Sequence, residues 1–287
     1  LLDRWMKRAA EDAKKMDEAS QLYQTIADLN KKNQLLEAVK GTQPSGPLTE
    51  SLLDRGSGMI HVTIPKQVKK TITAQEGECN SVGYNGSGML LVTAGQDKLV
   101  KLWDVPTGST KSQLSGAVQS VNSACFDWNT PNENVLAASN DNAARVWTIQ
   151  GGLNRLRHSL TGHISKVSHA LFSFDNQRVV TASHDRTLKV WDLSKGYCIR
   201  TLFCFSSANG VALSYDNSMI ASAHLDSHLR IWDMKNGEPI RDMDNLHSQQ
   251  ITSVTLAPDG RTYLTNSRDN TLKLIDNRTW EEVVTLK

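Results

Sequence analysis

One set of residues in this sequence has the makings of acid–base chemistry. His163, Thr181, Asp185 and Trp191 bring together an imidazole, a hydroxyl, a carboxylate and an indole N–H. A carboxylate that orients a histidine, which activates a hydroxyl, is the constellation of a hydrolase. The same four residues also suit a buried structural network. An indole ring fills space between strands, and its single N–H needs an acceptor such as the Thr181 hydroxyl. Recurrence separates the two readings. His247, Thr265 and Asp269 repeat the spacing later in the chain, and catalytic triads do not recur as repeat elements. The tetrad is therefore expected to be structural, and the protein is expected not to be an enzyme. Incomplete copies agree: no Gly-His stands at this place in the first, second and fourth repeats, and Ala137 replaces the hydroxyl in the second.

The elements that must position these residues follow from the repeat itself. Trp103-Asp104, Trp147-Thr148, Trp191-Asp192, Trp232-Asp233 and Ile275-Asp276 mark equivalent points, roughly 40–45 residues apart. Asp97, Asp141, Asp185, Asp226 and Asp269 each stand six residues before a mark. This is the pattern of an all-β, WD-repeat β-propeller, one four-stranded blade per repeat. The third repeat divides most clearly into strands at 167–172, 178–183, 188–192 and 198–202, with Asp-Asn and Asp-Arg turns. The last outer strand is expected at 282–286. A further strand, 67–74, reads as an outer strand with no blade of its own. Five blades are thus present, and about two more are expected after Lys287. The chain opens at Leu1 inside a helical pattern and is expected to be a piece of a longer protein.

Three segments are expected: a helix over 1–40, a flexible linker over 41–58 rich in Gly, Pro, Ser and Thr, and the propeller over 59–287. The helix lacks Pro and Gly. Ala19, Leu22, Ile26, Leu29, Asn33 and Leu36 fall on a heptad core, with Asn33 a register-fixing polar position. Before residue 19 that frame fails, since Asp12 and Lys15 would occupy core positions. The helix is either the tail of a coiled coil that self-associates or an amphipathic helix that docks on a partner.

Net charge is +2, with no long block of one sign, which argues against a nucleic-acid binder. Four scattered cysteines, with no Cys-x-x-Cys pair, read as reduced and mostly buried thiols in a cytosolic protein. No run of about 18 apolar residues is present to span a membrane. No metal-ligand spacing and no phosphate-binding loop occur, so no cofactor is expected. His61, His158, His169, His184, His224 and His228 read as surface or strand residues without a shared task. The residues just before each turn aspartate, Gln96, Asn140, His184, Leu225 and Arg268, should point out on one rim. A polar ring with an apolar anchor and an arginine suits peptide or protein ligands. Ordinary solvated turn residues remain the competing account.

Two segments carry a family resemblance. One is Leu2-Asp-Arg-Trp-Met-Lys-Arg-Ala-Ala-Glu-Asp-Ala. The other comprises Ala137-Ala-Ser-Asn-Asp with Arg145-Val-Trp, Arg157-His-Ser-Leu-Thr-Gly-His163, Ser183-His-Asp-Arg-Thr-Leu-Lys-Val-Trp-Asp192 and Ser267-Arg-Asp-Asn-Thr-Leu-Lys-Leu-Ile-Asp276. Together they resemble the autophagy-related protein 16 family over nearly the whole chain apart from the linker. The resemblance implies a non-catalytic scaffold in autophagosome formation. Family members bind autophagy protein 5, conjugated to protein 12, and direct lipidation of the ubiquitin-like protein 8. It also implies a cytoplasmic protein, recruited to the forming membrane through partners. The segment that would bind protein 5 is expected to lie outside this chain. The alternative is another coiled-coil/propeller adaptor, such as a ubiquitin-ligase substrate receptor or a transcriptional corepressor. Direct phosphoinositide binding is disfavoured because no Phe-Arg-Arg-Gly pair of arginines occurs.

Overall fold

The structure is a computed structural model that describes residues 67–68, 70–128, 134–150 and 153–286. The heptad residues from Ala19 to Leu36 and the linker lie outside the described residues. The described residues form twenty strands in five antiparallel sheets of four. Blade one holds β1 (Cys79–Tyr84), β2 (Leu90–Gly95), β3 (Val100–Asp104) and β4 (Thr110–Leu114). Blade two holds β5 (Val121–Phe126), β6 (Asn134–Ser139), β7 (Ala143–Gln150) and β8 (Leu153–Thr161). Blade three holds β9 (Val167–Phe172), β10 (Arg178–Ser183), β11 (Thr187–Asp192) and β12 (Cys198–Phe203). Blade four holds β13 (Ala208–Leu213), β14 (Met219–His224), β15 (Leu229–Asp233) and β16 (Pro239–Met243). Blade five holds β17 (Ile251–Leu256), β18 (Thr262–Ser267), β19 (Leu272–Asp276) and β20 (Glu282–Leu286).

Each blade is a simple meander, so consecutive strands pair and every connection is local. Blade three differs from its sequence reading by one residue at the start of β11 and one at the end of β12. The segment 67–74 is a correction. Its described residues carry no strand. Each of the five described blades has its own outer strand, β4, β8, β12, β16 or β20.

Hydrophobic cores lie between blades rather than within one. Leu90, Val92 and Leu102 of blade one pack with Val121, Phe126 and Trp147 of blade two. Val146 and Leu160 pack with Phe172 and Trp191 in the same way. Val190 and Leu202 meet Val211 and Trp232, and Ile231 meets Ile251, Tyr263 and Ile275. Apolar side chains stand exposed on the two end blades, at Val82 and Tyr84 on β1 and at Val283 and Leu286 on β20.

A shared irregularity links the blades. Every inner strand bulges at its second residue, so Asn80, Asn122, Ser168, Asn209 and Thr252 are skipped by the ladder. Four of these freed side chains reach the next inner strand. Asn80 Nδ2 donates to Val121 O (2.9 Å), Asn122 Nδ2 to Val167 O (2.8 Å), Ser168 Oγ to Ala208 O (2.6 Å) and Asn209 Nδ2 to Ile251 O (2.8 Å). Asn209→Ala should therefore cost about 1 kcal/mol. Equilibrium urea unfolding measures this, and an unchanged midpoint would remove these bridges from the account.

Candidate functional site: buried Trp–His–Asp networks and the rim above them

The turn joining β10 to β11 sets the site. Arg186 takes a left-handed backbone (φ 67°), and the Asp185 carboxylate folds back on its own turn. Asp185 Oδ1 accepts the Thr187 N–H (2.9 Å) and hydroxyl (2.6 Å). Its Oδ2 accepts the Ile164 N–H (3.1 Å) and lies 2.7 Å from His163 Nδ1. His163 Nε2 lies 2.7 Å from Thr181 Oγ1, which accepts the Trp191 Nε1–H at 2.9 Å. The structure thus places the four residues in one hydrogen-bonded chain.

Proton accounting fixes its direction. Its hydrogen bonds hold the Asp185 carboxylate below the usual range against the opposing effect of burial. Ionised, it only accepts, so His163 Nδ1 carries the hydrogen. Burial lowers the His163 pKa despite the facing carboxylate. A neutral His163 then leaves Nε2 as acceptor for the Thr181 hydroxyl, while Thr181 oxygen accepts from Trp191. Every donor has an acceptor. Thr181 is wholly buried, so no substrate carbonyl can approach its oxygen. Geometry that resembles a triad is here closed on itself.

The other blades solve the same problem with different residues. In blade one Gln75 replaces the histidine: its Nε2 donates to Thr93 Oγ1 (3.0 Å), which also accepts Trp103 Nε1–H (2.9 Å). In blade two Ala137 removes the hydroxyl, and Trp147 Nε1–H turns to Ser115 O (3.2 Å). Blade five keeps His247, 3.0 Å from Asp269 and 2.9 Å from Thr265, with Ile275 in place of the indole. Blade four corrects the sequence reading. His224 is fully buried at the end of β14, its Nε2 2.8 Å from Ser222 Oγ, which accepts Trp232 Nε1–H at 2.8 Å. It supplies an imidazole from the strand because Cys204 stands four residues before the inner strand, where His163 and His247 stand in blades three and five. That exchange of Cys204 and His224 was the available signal. Gln75 was equally missed.

A second rule accompanies the first. A cation follows each turn aspartate by four residues: Lys101, Arg145, Lys189, Arg230 and Lys273. Where no histidine engages the carboxylate, the cation does: Lys101–Asp97 at 2.7 Å, Arg145–Asp141 at 2.8 Å and Arg230–Asp226 at 2.7 Å. Where His163 or His247 does, the cation turns away. Lys189 Nζ donates to Thr201 Oγ1 (2.9 Å), and Lys273 pairs with Glu282 (2.6 Å).

The five rim residues occupy one position in successive blades. Each backbone N–H donates to the carbonyl of the residue preceding the blade's inner strand: Gln96 to Glu78 (3.0 Å), Asn140 to Ser120 (2.9 Å), His184 to Lys166 (3.1 Å), Leu225 to Ser207 (3.0 Å) and Arg268 to Gln250 (3.1 Å). They therefore share one face. Gln96, Leu225 and Arg268 are exposed, whereas Asn140 and His184 are half-buried. Asn140 Oδ1 accepts from Asn122 Nδ2 (2.8 Å), which ties it to the blade bridges. Leu225 is 49% exposed, a large apolar side chain in an otherwise polar ring. At the opposite ends of the inner strands an unforeseen aromatic row appears. Trp128, Phe174 and Tyr215 stand side by side, with centroids 4.6 and 4.5 Å apart.

The cysteines are more varied than expected. Only Cys204 is buried, Cys79 is exposed, and Cys125 and Cys198 are half-buried. Burial pushes the thiols of Cys125 and Cys204 up to about 12, so neither is a nucleophile at neutral pH.

Such a stack of Trp-Asp blades defines a WD-repeat propeller. The family model described as WD domain, G-beta repeat, matches residues 66–104, 154–192, 196–233 and 237–276, each segment ending at a Trp-Asp or Ile-Asp mark. The chain belongs to this family. The repeat that ends at Trp147-Thr148 is not among the matched segments. Protein tipD of Dictyostelium discoideum is 42% identical over 100% of this chain and 48% of its own length. Autophagy-related protein 16 of Arabidopsis thaliana is 36% identical over 100% of this chain and 55% of its own length. Autophagic-related protein 16.2 of Caenorhabditis elegans is 30% identical over 94% of this chain and 49% of its own. The chain spans about half the length of the curated relatives it matches. These matches fit the autophagy-related protein 16 family, as the resemblance in the sequence implied.

Proposed function

We propose that this chain is a non-catalytic scaffold in autophagosome formation and that its propeller is the platform for partners. The observation that carries this reading is the 36% identity, along the whole chain, to a protein named autophagy-related protein 16. Supporting it, the hydrogen-bond networks of the blades consume their own polar groups, which leaves the rim rather than the tetrad for recognition. In this reading the protein is cytoplasmic and works with the conjugate of autophagy proteins 12 and 5 in lipidation of the ubiquitin-like protein 8. Residues 1–40 self-associate as a coiled coil. Peptide or protein ligands occupy the rim, nucleic acid is not a ligand, and the membrane is reached through partners. The test is restoration of protein 8 lipidation in cells that lack their own autophagy-related protein 16, using the full-length form of this protein. Restored lipidation is the expected result. Failure by a folded, expressed protein moves the function to a different coiled-coil/propeller adaptor.

The rim makes its own prediction. Leu225→Asp places a charge where an apolar anchor would be desolvated. It should weaken rim ligands about tenfold or more while leaving unfolding unchanged, because Leu225 is half in solvent already. Co-precipitation of propeller partners measures it, and unchanged recovery would remove this rim from the account.

A further inference from the structure

A cleft of about 580 Å³ lies outside the rim set, on the outer half of blade three. Its walls are Ile164, Phe203 and Phe205, and its floor is Lys189 with Thr187 and Thr201. The three apolar walls are 87%, 72% and 82% exposed. Isolated surface apolar residues need no explanation, but three large ones around one cleft mark a contact surface.

Two independent irregularities coincide there. The first is Lys189. Its counterparts Lys101, Arg145, Arg230 and Lys273 each pair with a carboxylate. Lys189 is half-buried and, among the described residues, its side chain holds only the Thr201 hydroxyl. Asp185 also lines the cleft, but its hydrogen bonds go to His163, Ile164 and Thr187 rather than to Lys189, so Lys189 has no direct ion pair among the described residues. The second is Phe205. The matching residues Glu76, Val118, Ile164 and Ser248 donate their backbone N–H to the turn aspartate. Phe205 instead takes a left-handed backbone, φ 61°, a conformation costly for a bulky residue and characteristic of ligand clamps. Asp226, its counterpart carboxylate, is held by two bonds from Arg230.

We propose that this cleft docks a partner peptide in which a bulky apolar side chain stands beside an Asp or Glu. The apolar side chain packs against Ile164, Phe203 and Phe205, and the carboxylate completes the ion pair that Lys189 lacks. Arg186, exposed at the cleft edge, adds a second positive charge. A charge-assisted bond to a half-buried ammonium gives orientation, and the aromatic walls give contact area. This surface is separate from Leu225 and stands whether or not the rim binds.

The test is selection of a random phage-displayed peptide library on the full chain, and in parallel on Lys189→Gln and Phe205→Gly. Glutamine keeps a hydrogen bond for Thr201, and glycine suits the left-handed backbone, so both variants should melt with the wild type. The expected result is a consensus pairing Asp or Glu with Phe, Trp, Leu or Ile, its synthetic peptide binding at least about tenfold more weakly to either variant. No consensus, a basic consensus, or one indifferent to both substitutions would overturn the proposal.

Discussion

Asp185→Ala should destabilise the propeller by about 3 kcal/mol, at the top of the range for orphaned buried donors. The carboxylate accepts from Thr187 N–H and hydroxyl, from Ile164 N–H, and from His163. Alanine removes the acceptor of two backbone N–H groups and leaves the nearly buried His163 Nδ1 only the more distant Thr187 hydroxyl oxygen, at 3.3 Å. The corresponding Asp226→Ala should cost less, about 1 kcal/mol. Asp226 is more open to solvent, and Arg230 keeps Asp242 as a second partner (3.1 Å). Chemical denaturation of the two variants side by side provides the measurement. Equal, small effects would show that the tetrad contributes nothing beyond an ordinary turn.

Mild acid should unfold the protein more effectively than its carboxylates alone would explain. Burial pushes His169 and His224 down to about 4, from an ordinary value of 6.5. The unfolded chain then binds these two protons at a higher pH than the folded chain does. Stability is therefore fully present above about pH 6.5 and is lost as pH falls toward 4. Each histidine accounts for about 1.4 kcal/mol per pH unit in that window, on the order of 3 kcal/mol apiece. The ionised turn aspartates, such as Asp97 and Asp141, held below the usual carboxylate range by their cations and hydrogen bonds, give way only at lower pH. Stability measured from pH 8 to 4 should be flat above 7 and steep below 6. His224→Gln should make the slope measurably shallower, without abolishing it, because burial also lowers His163 and His184. A profile that stays flat to pH 4.5 would contradict the burial of neutral imidazoles.

The repeat was legible because its marks are chemical. A Trp that must bury its ring and satisfy its N–H, and an Asp that must close a turn, constrain sequence at fixed spacing. Blade boundaries and the tetrad of blade three followed from that. The substitutes were not legible one residue at a time. Gln75 and His224 do the work of a histidine from other residue types or other strands, and only the neighbouring gap at Cys204 hinted at the exchange. The bulged Asn80, Asn122 and Asn209 were hidden for a different reason. A bulge frees a residue from its ladder, so its partner lies a whole blade away in sequence. The strand expected over 67–74 is absent from its described residues, because alternation says only that a segment suits a sheet, not that it joins one. The rim position was readable from the turn aspartates, whereas the aromatic row of Trp128, Phe174 and Tyr215 required the inner strands to be set side by side.

The most direct test of the scaffold reading is co-precipitation of the full-length protein with autophagy protein 5 and its protein 12 conjugate. Recovery of the conjugate with both the wild type and Leu225→Asp, together with loss of rim ligands from the variant alone, is the predicted result. Failure of the folded full-length protein to recover the conjugate would contradict the account.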